Sequence, residues 1–285
     1  MISQYHIDHQ ITAAELRQFN EDGYFLVKNA LPPEMIEKLE VKVDAIHQFY
    51  LDRGYDPYTK SALTAYQNFF YPNFLKDDPI FIDLLDWPVT FPKVWGILGW
   101  NIYSYHSHLI VTPPRPADAD RSPRSLGWHQ DSGRVNVEME SSPRPRLSLK
   151  IVYWLSDCSQ PGRGNFYVLP GSHLRDQIEK PTDGSLPEEA MVVLAEPGDA
   201  VFFDRRLWHA RSENDSEMTR KGLFYGYGYR WLRPKDDMTI PEDLFKVSDP
   251  IRQQLLGGGT NANGHFSPKD ADVPLKVWLE KHSLI

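Results

Sequence analysis

The sequence predicts a mainly β protein, a sandwich or closed barrel with an α-rich N-terminal flank. From about residue 100, short runs of strand composition alternate with clusters of Pro, Gly, Asp and Ser, as in sandwiches and barrels. Before that point, helix-start signals precede apolar residues at helical spacing. With 285 residues, 41% of them hydrophobic, the chain can bury a sizeable core, and large β sandwiches and barrels often reach this length as one unit.

In chain order, Thr12 with Glu15 three positions on is a capping-box pattern and predicts a helix over residues 12–22, which Gly23 breaks. Tyr24-Phe25-Leu26-Val27 has strand composition. Pro32-Pro33-Glu34 opens a second helix, with Met35, Ile36, Leu39, Val43 and Ile46 on one face. Strands are expected over Asn101 to Val111, Leu147 to Leu155, Asn165 to Leu169, Met191 to Leu194, Ala200 to His209 and Arg220 to Trp231. Pro113 to Ser125 is proline- and charge-rich and reads as a surface loop. Gly257-Gly258-Gly259 with Asn261 to Gly264 reads as a flexible C-terminal loop. There is no internal repeat and no evident linker. A single domain over residues 1–285 is expected, with a helical flank to about residue 98, a barrel core to about residue 232 and a C-terminal extension beyond.

The formal net charge of -8 argues against a general affinity for nucleic-acid backbones. No apolar run is long enough to span a bilayer. Cys158 is the only cysteine and cannot form an intramolecular disulfide, and Met1 to His6 lacks the regions of a signal peptide. A cytoplasmic protein is expected, a monomer or homodimer acting on a small molecule, with no nucleic acid and no membrane insertion.

The chemistry lies in Trp128-His129-Gln130-Asp131 and, far downstream, Trp208-His209 and Arg220. Two imidazoles and one carboxylate can hold non-haem Fe(II) on one face and leave the other positions open for a co-substrate and dioxygen. His129 and Asp131 are two positions apart, so in an extended segment both leave the same face. Alone, such a pair more often marks a surface turn. In Ala200 to His209, Val201, Phe203, Leu207 and His209 share one strand parity, which puts His209 at the end of an inward row. Taken alone, His209 reads first as a core histidine bonded to backbone. Arg220 begins the next strand, whose same parity carries Gly222, Phe224, Gly226 and Gly228. Glycine there marks close approach by a ligand or another backbone. An arginine at its head can grip a carboxylate in its planar fork, or can pair with Glu213, Asp215 or Glu217 at the surface.

Taken together, these segments resemble the phytanoyl-CoA dioxygenase-like Fe(II)/2-oxoglutarate oxygenases over residues 12 to 232, about three quarters of the chain. The resemblance is carried by Asp22 to Val27, by Gly99-Trp100-Asn101-Ile102 through His106, Leu109 and Ile110 to Pro113-Pro114, and by the His129/Asp131 motif. It continues through Gly164-Asn165-Phe166-Tyr167-Val168-Leu169-Pro170-Gly171-Ser172-His173, then Gly198 to Phe203 leading to His209, and Arg220 eleven residues on. It implies a double-stranded β-helix (jelly-roll, cupin-like) barrel with flanking N-terminal helices. It also implies Fe(II) held by His129, Asp131 and His209, 2-oxoglutarate held through Arg220, and O2 as oxidant. By the same resemblance His108 and Tyr153 belong to the co-substrate pocket and His173 is structural. The implied reaction oxidises, most simply hydroxylates, a small organic substrate and releases succinate and CO2.

Asp131 disfavours halogenation, because related halogenases carry a small residue at that position. Desaturation, epoxidation and ring formation stay open. The alternatives are a metal-dependent cupin-type enzyme that does not use 2-oxoglutarate, or a non-catalytic binding relative. His209 is followed by Ala210-Arg211-Ser212 where the family commonly has a small Gly-Ser pair, so Arg211 either enters the pocket or faces solvent. Arg134 and the cluster Tyr227, Tyr229, Trp231 could line a mouth. The aromatics read equally well as packing against a helix.

Overall fold

In a computed structural model of the chain, residues 3–59, 68–122, 125–131, 133–181, 183–237, 239–259 and 268–285 are described. Among them lie nine strands: β1 (Tyr24–Val27), β2 (Phe69–Pro72), β3 (Ile102–Thr112), β4 (Ser148–Trp154), β5 (Phe166–Val168), β6 (Met191–Val193), β7 (Ala200–Asp204), β8 (His209–Arg211) and β9 (Arg220–Tyr229). Every pairing is antiparallel. A six-stranded sheet runs β1-β7-β4-β9-β3-β2 and a three-stranded sheet runs β6-β5-β8. This is the predicted double-stranded β-helix.

The helices are α1 (Gln4–Ile7), α2 (Ala13–Asp22), α3 (Pro33–Leu51), α4 (Pro79–Asp83), α5 (Phe91–Leu98), α6 (Gly133–Glu138), α7 (Glu242–Val247), α8 (Pro250–Leu255) and α9 (Pro274–Lys281). The capping box at Thr12 forms: Glu15 N–H donates to Thr12 Oγ1 at 3.2 Å, and Thr12 N–H to Glu15 Oε2 at 2.8 Å. Gly23 ends α2 in the left-handed region, as its position implied.

Side-chain alternation sorts the large sheet into two faces. On β4, Leu149, Ile151 and Tyr153 join the core against the helices, with Phe91 and Val94 of α5 among their partners. Val152 and Trp154 face the small sheet and pack with Val201, Phe203, Phe224, Phe166 and Val168. Burial of so many apolar side chains, each contributing about 1.5–3 kcal/mol, fixes the strand register, because a one-residue slip would exchange the faces. Tyr225 and Tyr227 lie on the helix side of β9 and donate hydroxyl hydrogen bonds to Phe81 O and Leu85 O, so these tyrosines pack against helices and do not line a mouth. Tyr229 and Trp231 stack on each other at 5.3 Å.

One expected strand divides. Ala200 to His209 is β7, a turn, and then β8 in the other sheet. The turn forms at Asp204-Arg205-Arg206. The buried Asp204 carboxylate accepts from Arg206 N–H and Nε at 2.9 Å each and from Arg146 Nε at 2.9 Å, and Leu207 N–H closes onto Asp204 O at 2.9 Å. Three consecutive charged residues within an otherwise apolar run are the sequence trace of that corner. The parity inferred from Val201 to His209 therefore does not run through. His209 is buried for another reason, its place on β8.

The glycines of β9 are explained by close packing. A Cβ at Gly226 would sit 2.9 Å from the Tyr105 ring and 3.1 Å from His106 O of β3. At the far end of the fold, Gln254 of α8 donates to Trp100 O and Ile102 O and clamps the entry to β3. The expected loop at residues 261–264 lies outside the described residues. No described helix is long and apolar enough to cross a membrane.

Candidate metal centre and active site

His129 and His209 are paired as an isolated antiparallel bridge. Each backbone N–H donates to the other's carbonyl at 3.0 Å, so two loops remote in sequence are joined at the two histidines. Their rings lie 4.3 Å apart, centroid to centroid. His129 Nδ1 lies 2.7 Å from Gly127 O, and His209 Nδ1 lies 2.8 Å from Leu207 O. A carbonyl oxygen can only accept, so both Nδ1 atoms carry the proton and both Nε2 atoms present a lone pair. That tautomer is the one a metal requires. Burial, with the neighbouring His129, drives the pKa of His209 down to about 3, so its ring is neutral at physiological pH.

Asp131 completes the set. One ligand atom from each of His129, Asp131 and His209 lies within 4.8 Å of the others. Burial alone would raise the Asp131 pKa, but Lys150 and the two imidazoles hold it well below the usual carboxylate range. Lys150 Nζ sits 2.9 Å from Asp131 Oδ2, an ion pair whose approach is not that of a well-directed hydrogen bond. The turn carrying these ligands is fixed by Asp131 N–H to Arg205 O at 2.8 Å and by Asn136 Nδ2 to Gln130 Oε1 at 2.9 Å. One carboxylate and two imidazole nitrogens, with an ammonium beside the carboxylate, suit a divalent cation.

The three residues open onto a cavity of about 560 Å³ that also holds His108, Lys150, Arg220, Arg211, His106 and Lys235. Arg220 is 3% exposed, and its Nε and Nη1 have no hydrogen-bond partner. Its guanidinium lies 4.4 Å from the Trp154 ring centroid, and burial pushes its pKa down to about 10. A buried planar cation with free donors facing a cavity is the complement of a carboxylate. Of the surface carboxylates, Asp215 is taken by Arg115 and Arg121.

His108 is also in the cavity wall, stacked between Phe70 at 4.7 Å and Phe224 at 4.5 Å, with Nδ1 unpartnered. Burial and then Lys150 keep it well below its ordinary pKa, hence neutral. Tyr153 is not in the cavity. It has the odd parity of β4, and its hydroxyl pairs with Thr90 Oγ1 at 2.6 Å in the helix-side core. The residues in register with the cavity are Lys150 and Trp154, and counting alternation from Leu149 would have found Lys150. His106 shares the parity of His108. Its Nδ1 meets Asp236, whose other oxygen takes the Ser107 N–H, and its Nε2 is unpartnered. His173 lies elsewhere, with Nε2 3.1 Å from Asn20 O, and braces the 164–173 turn against α2. Arg211 reaches the cavity, while Arg134 is exposed and pairs with Glu138.

Comparison with known proteins agrees with this architecture. The phytanoyl-CoA dioxygenase family matches residues 19–222. The protein Dioxygenase cdmD of Talaromyces verruculosus is 24% identical over 268 residues, covering 87% of this chain and 84% of its own. HygX of Streptomyces hygroscopicus, solved with nickel and 2-oxoglutarate bound, superposes with a TM-score of 0.60 at 16% identity over 82% of this chain and 94% of that one. SnoK, the non-haem α-ketoglutarate-dependent carbocyclase of nogalamycin biosynthesis, gives 0.59 at 20% identity over 84% and 91%. The likeness to the two solved structures is one of fold.

Proposed function

From the premise that the chain belongs to the phytanoyl-CoA dioxygenase family, we propose that it is an Fe(II)- and 2-oxoglutarate-dependent dioxygenase that hydroxylates a small organic substrate. His129, Asp131 and His209 hold the iron, and Arg220 holds the distal carboxylate of 2-oxoglutarate, with His108 in the same wall. The observation that carries this reading is the pairing of two Nε2-presenting imidazoles and a carboxylate with a buried guanidinium whose Nε and Nη1 have no partner, in one cavity.

When bound, the iron and co-substrate supply an oxidant: one O2 and one 2-oxoglutarate give CO2, succinate and one oxygen atom for a C–H bond. The chain's own part is placement. The backbone carbonyls of Gly127 and Leu207 fix the imidazole tautomers, and Lys150 orients the Asp131 carboxylate. Arg220, braced on Trp154, sets which way the co-substrate lies. Phe166, Phe203 and Phe224, all buried, make part of the wall apolar, which strengthens charge interactions beside it.

Anaerobic Fe(II) plus 2-oxoglutarate should produce a weak visible charge-transfer band, and admission of air should release succinate. Absence of both would overturn the reading. Related enzymes act on diverse compounds, so neither the substrate nor the position oxidised follows from the family.

A further inference from the structure

Lys150 occupies the middle of β4 and is 3% exposed, a rare location for an ammonium. Lys235, six residues past the end of β9, reaches the same cavity from its rim. Burial first, and then the charge of Lys150, lowers the Lys235 pKa, so the two ammonium groups share one region. Among the described residues Lys235 has no ion pair within 4 Å, and the partner of Lys150 is Asp131, the carboxylate that the iron would claim.

The charges around the cavity can be counted. Lys150, Lys235 and Arg220 are cations; Asp131 and Asp236 are carboxylates. Arg211 adds a fourth cation to the lining. Cations outnumber carboxylates there. Fe(II) and the 2-oxoglutarate dianion cancel each other and leave that excess in place. Arg220 lies apart from the two lysines, because it enters at the head of β9, whereas Lys150 is paired with Gly226. Those positions are six residues apart along β9, about 20 Å of strand. A neutral substrate would cover these cations without balancing them, at a penalty that a carboxylate removes.

Resting on the oxygenase reading above, we propose that the primary substrate is an organic acid and that Lys150 and Lys235 take its carboxylate, at the end of the cavity away from Arg220. The acid group then fixes which carbon faces the iron. His106, with Nδ1 tied to Asp236 and Nε2 turned to the cavity, adds one more polar contact on that side.

The test uses the Co(II)-substituted protein saturated with 2-oxoglutarate, the Zn(II) form as a diamagnetic reference, and 4-fluorobenzoate as probe. Cobalt near the bound probe should raise its 19F transverse relaxation several-fold over the zinc form, while neutral 4-fluorobenzamide should show no such effect. Lys150→Met and Lys235→Met should each weaken probe binding about tenfold, the loss of one charge-assisted contact, and Lys235→Met should do so with the affinity for 2-oxoglutarate unchanged. If Lys150→Met fails to load metal, Lys235→Met, at the rim of the cavity, carries the comparison. The proposal is overturned if the probe shows no cobalt-dependent relaxation, if 2-oxoglutarate displaces it, if the amide behaves alike, or if Lys235→Met leaves it intact. A cobalt spectrum that does not respond to 2-oxoglutarate would instead overturn the oxygenase reading, and the anion site with it.

Discussion

Replacing Arg220 by methionine should make the protein more stable on its own and nearly unable to bind 2-oxoglutarate. In the absence of ligand, the guanidinium is buried with Nε and Nη1 unpaired. The fall of its pKa from 12.5 to about 10 corresponds to about 3 kcal/mol of disfavoured charge. Stacking on Trp154 at 4.4 Å returns about 1–2 kcal/mol of that. The remainder, about 1–2 kcal/mol, is released by a methionine of similar length, and the apo Tm should rise by about 2–6 °C. Arginine is protonated in both the folded and unfolded states below about pH 9, so the gain should be constant across neutral pH. The effect on the ligand has the opposite sign. Truncating one partner of a buried charge pair costs about 2–5 kcal/mol, hence a weakening of 2-oxoglutarate binding by about 30- to 5,000-fold. Differential scanning fluorimetry of the metal-free protein and a titration of the anaerobic Fe(II) form read the two effects separately. A lowered apo Tm would refute the unpartnered guanidinium. A 2-oxoglutarate Kd within about threefold of wild type would refute the clamp.

Asp131→Asn should act in the reverse sense to Arg220→Met: metal affinity falls by more than about 100-fold, and the apo Tm also falls, because Lys150 is left as an uncompensated buried charge worth about 3–5 kcal/mol; metal content and thermal melts check both. His108→Phe should flatten the pH dependence of apo stability. A histidine held neutral when folded and titrating at 6.5 when unfolded contributes stability above pH 6.5 that is lost as pH falls, about 2 kcal/mol by pH 5, so the Tm difference between pH 7 and pH 5 should shrink by about 5 °C. Gly198→Ala should destabilise by about 2 kcal/mol or more, since φ is +91° and the new Cβ would lie 2.7 Å from Leu31 O; urea melts with an unchanged m-value would show it.

Much of this was legible in the amino-acid order because local chemistry dictated it. Thr12 with Glu15, Gly23, and the Pro32-Pro33 start of α3 are read from one turn of chain, and they form as read. The cluster of His129, Asp131 and His209 was legible because two imidazoles and a carboxylate at that spacing are the residue types a metal would need. What failed to show was anything that depended on which sheet a segment joins. Ala200 to His209 reads as one strand until Asp204 recruits Arg146, distant in sequence, and turns a corner. Tyr153 follows from family likeness, and only its parity relative to Lys150 and Trp154 reveals that it faces the helices. Lys150 went unnoticed because a single lysine in a strand of apolar residues carries no local signal; its meaning comes from Asp131, nineteen positions earlier and 2.9 Å away.

The paired backbone hydrogen bonds between His129 and His209 have an evolutionary consequence. They fasten the two histidine-bearing segments to each other at a point just after the long 113–126 segment. That segment can therefore be lengthened, shortened or rewritten without moving either imidazole, as long as the Gly127 carbonyl that holds His129 Nδ1 is kept. Substrate scope and catalytic power become separately heritable: variation accumulates in the segment while the centre it borders stays in place. A lineage can thus change the molecule it oxidises through substitutions that never touch the iron.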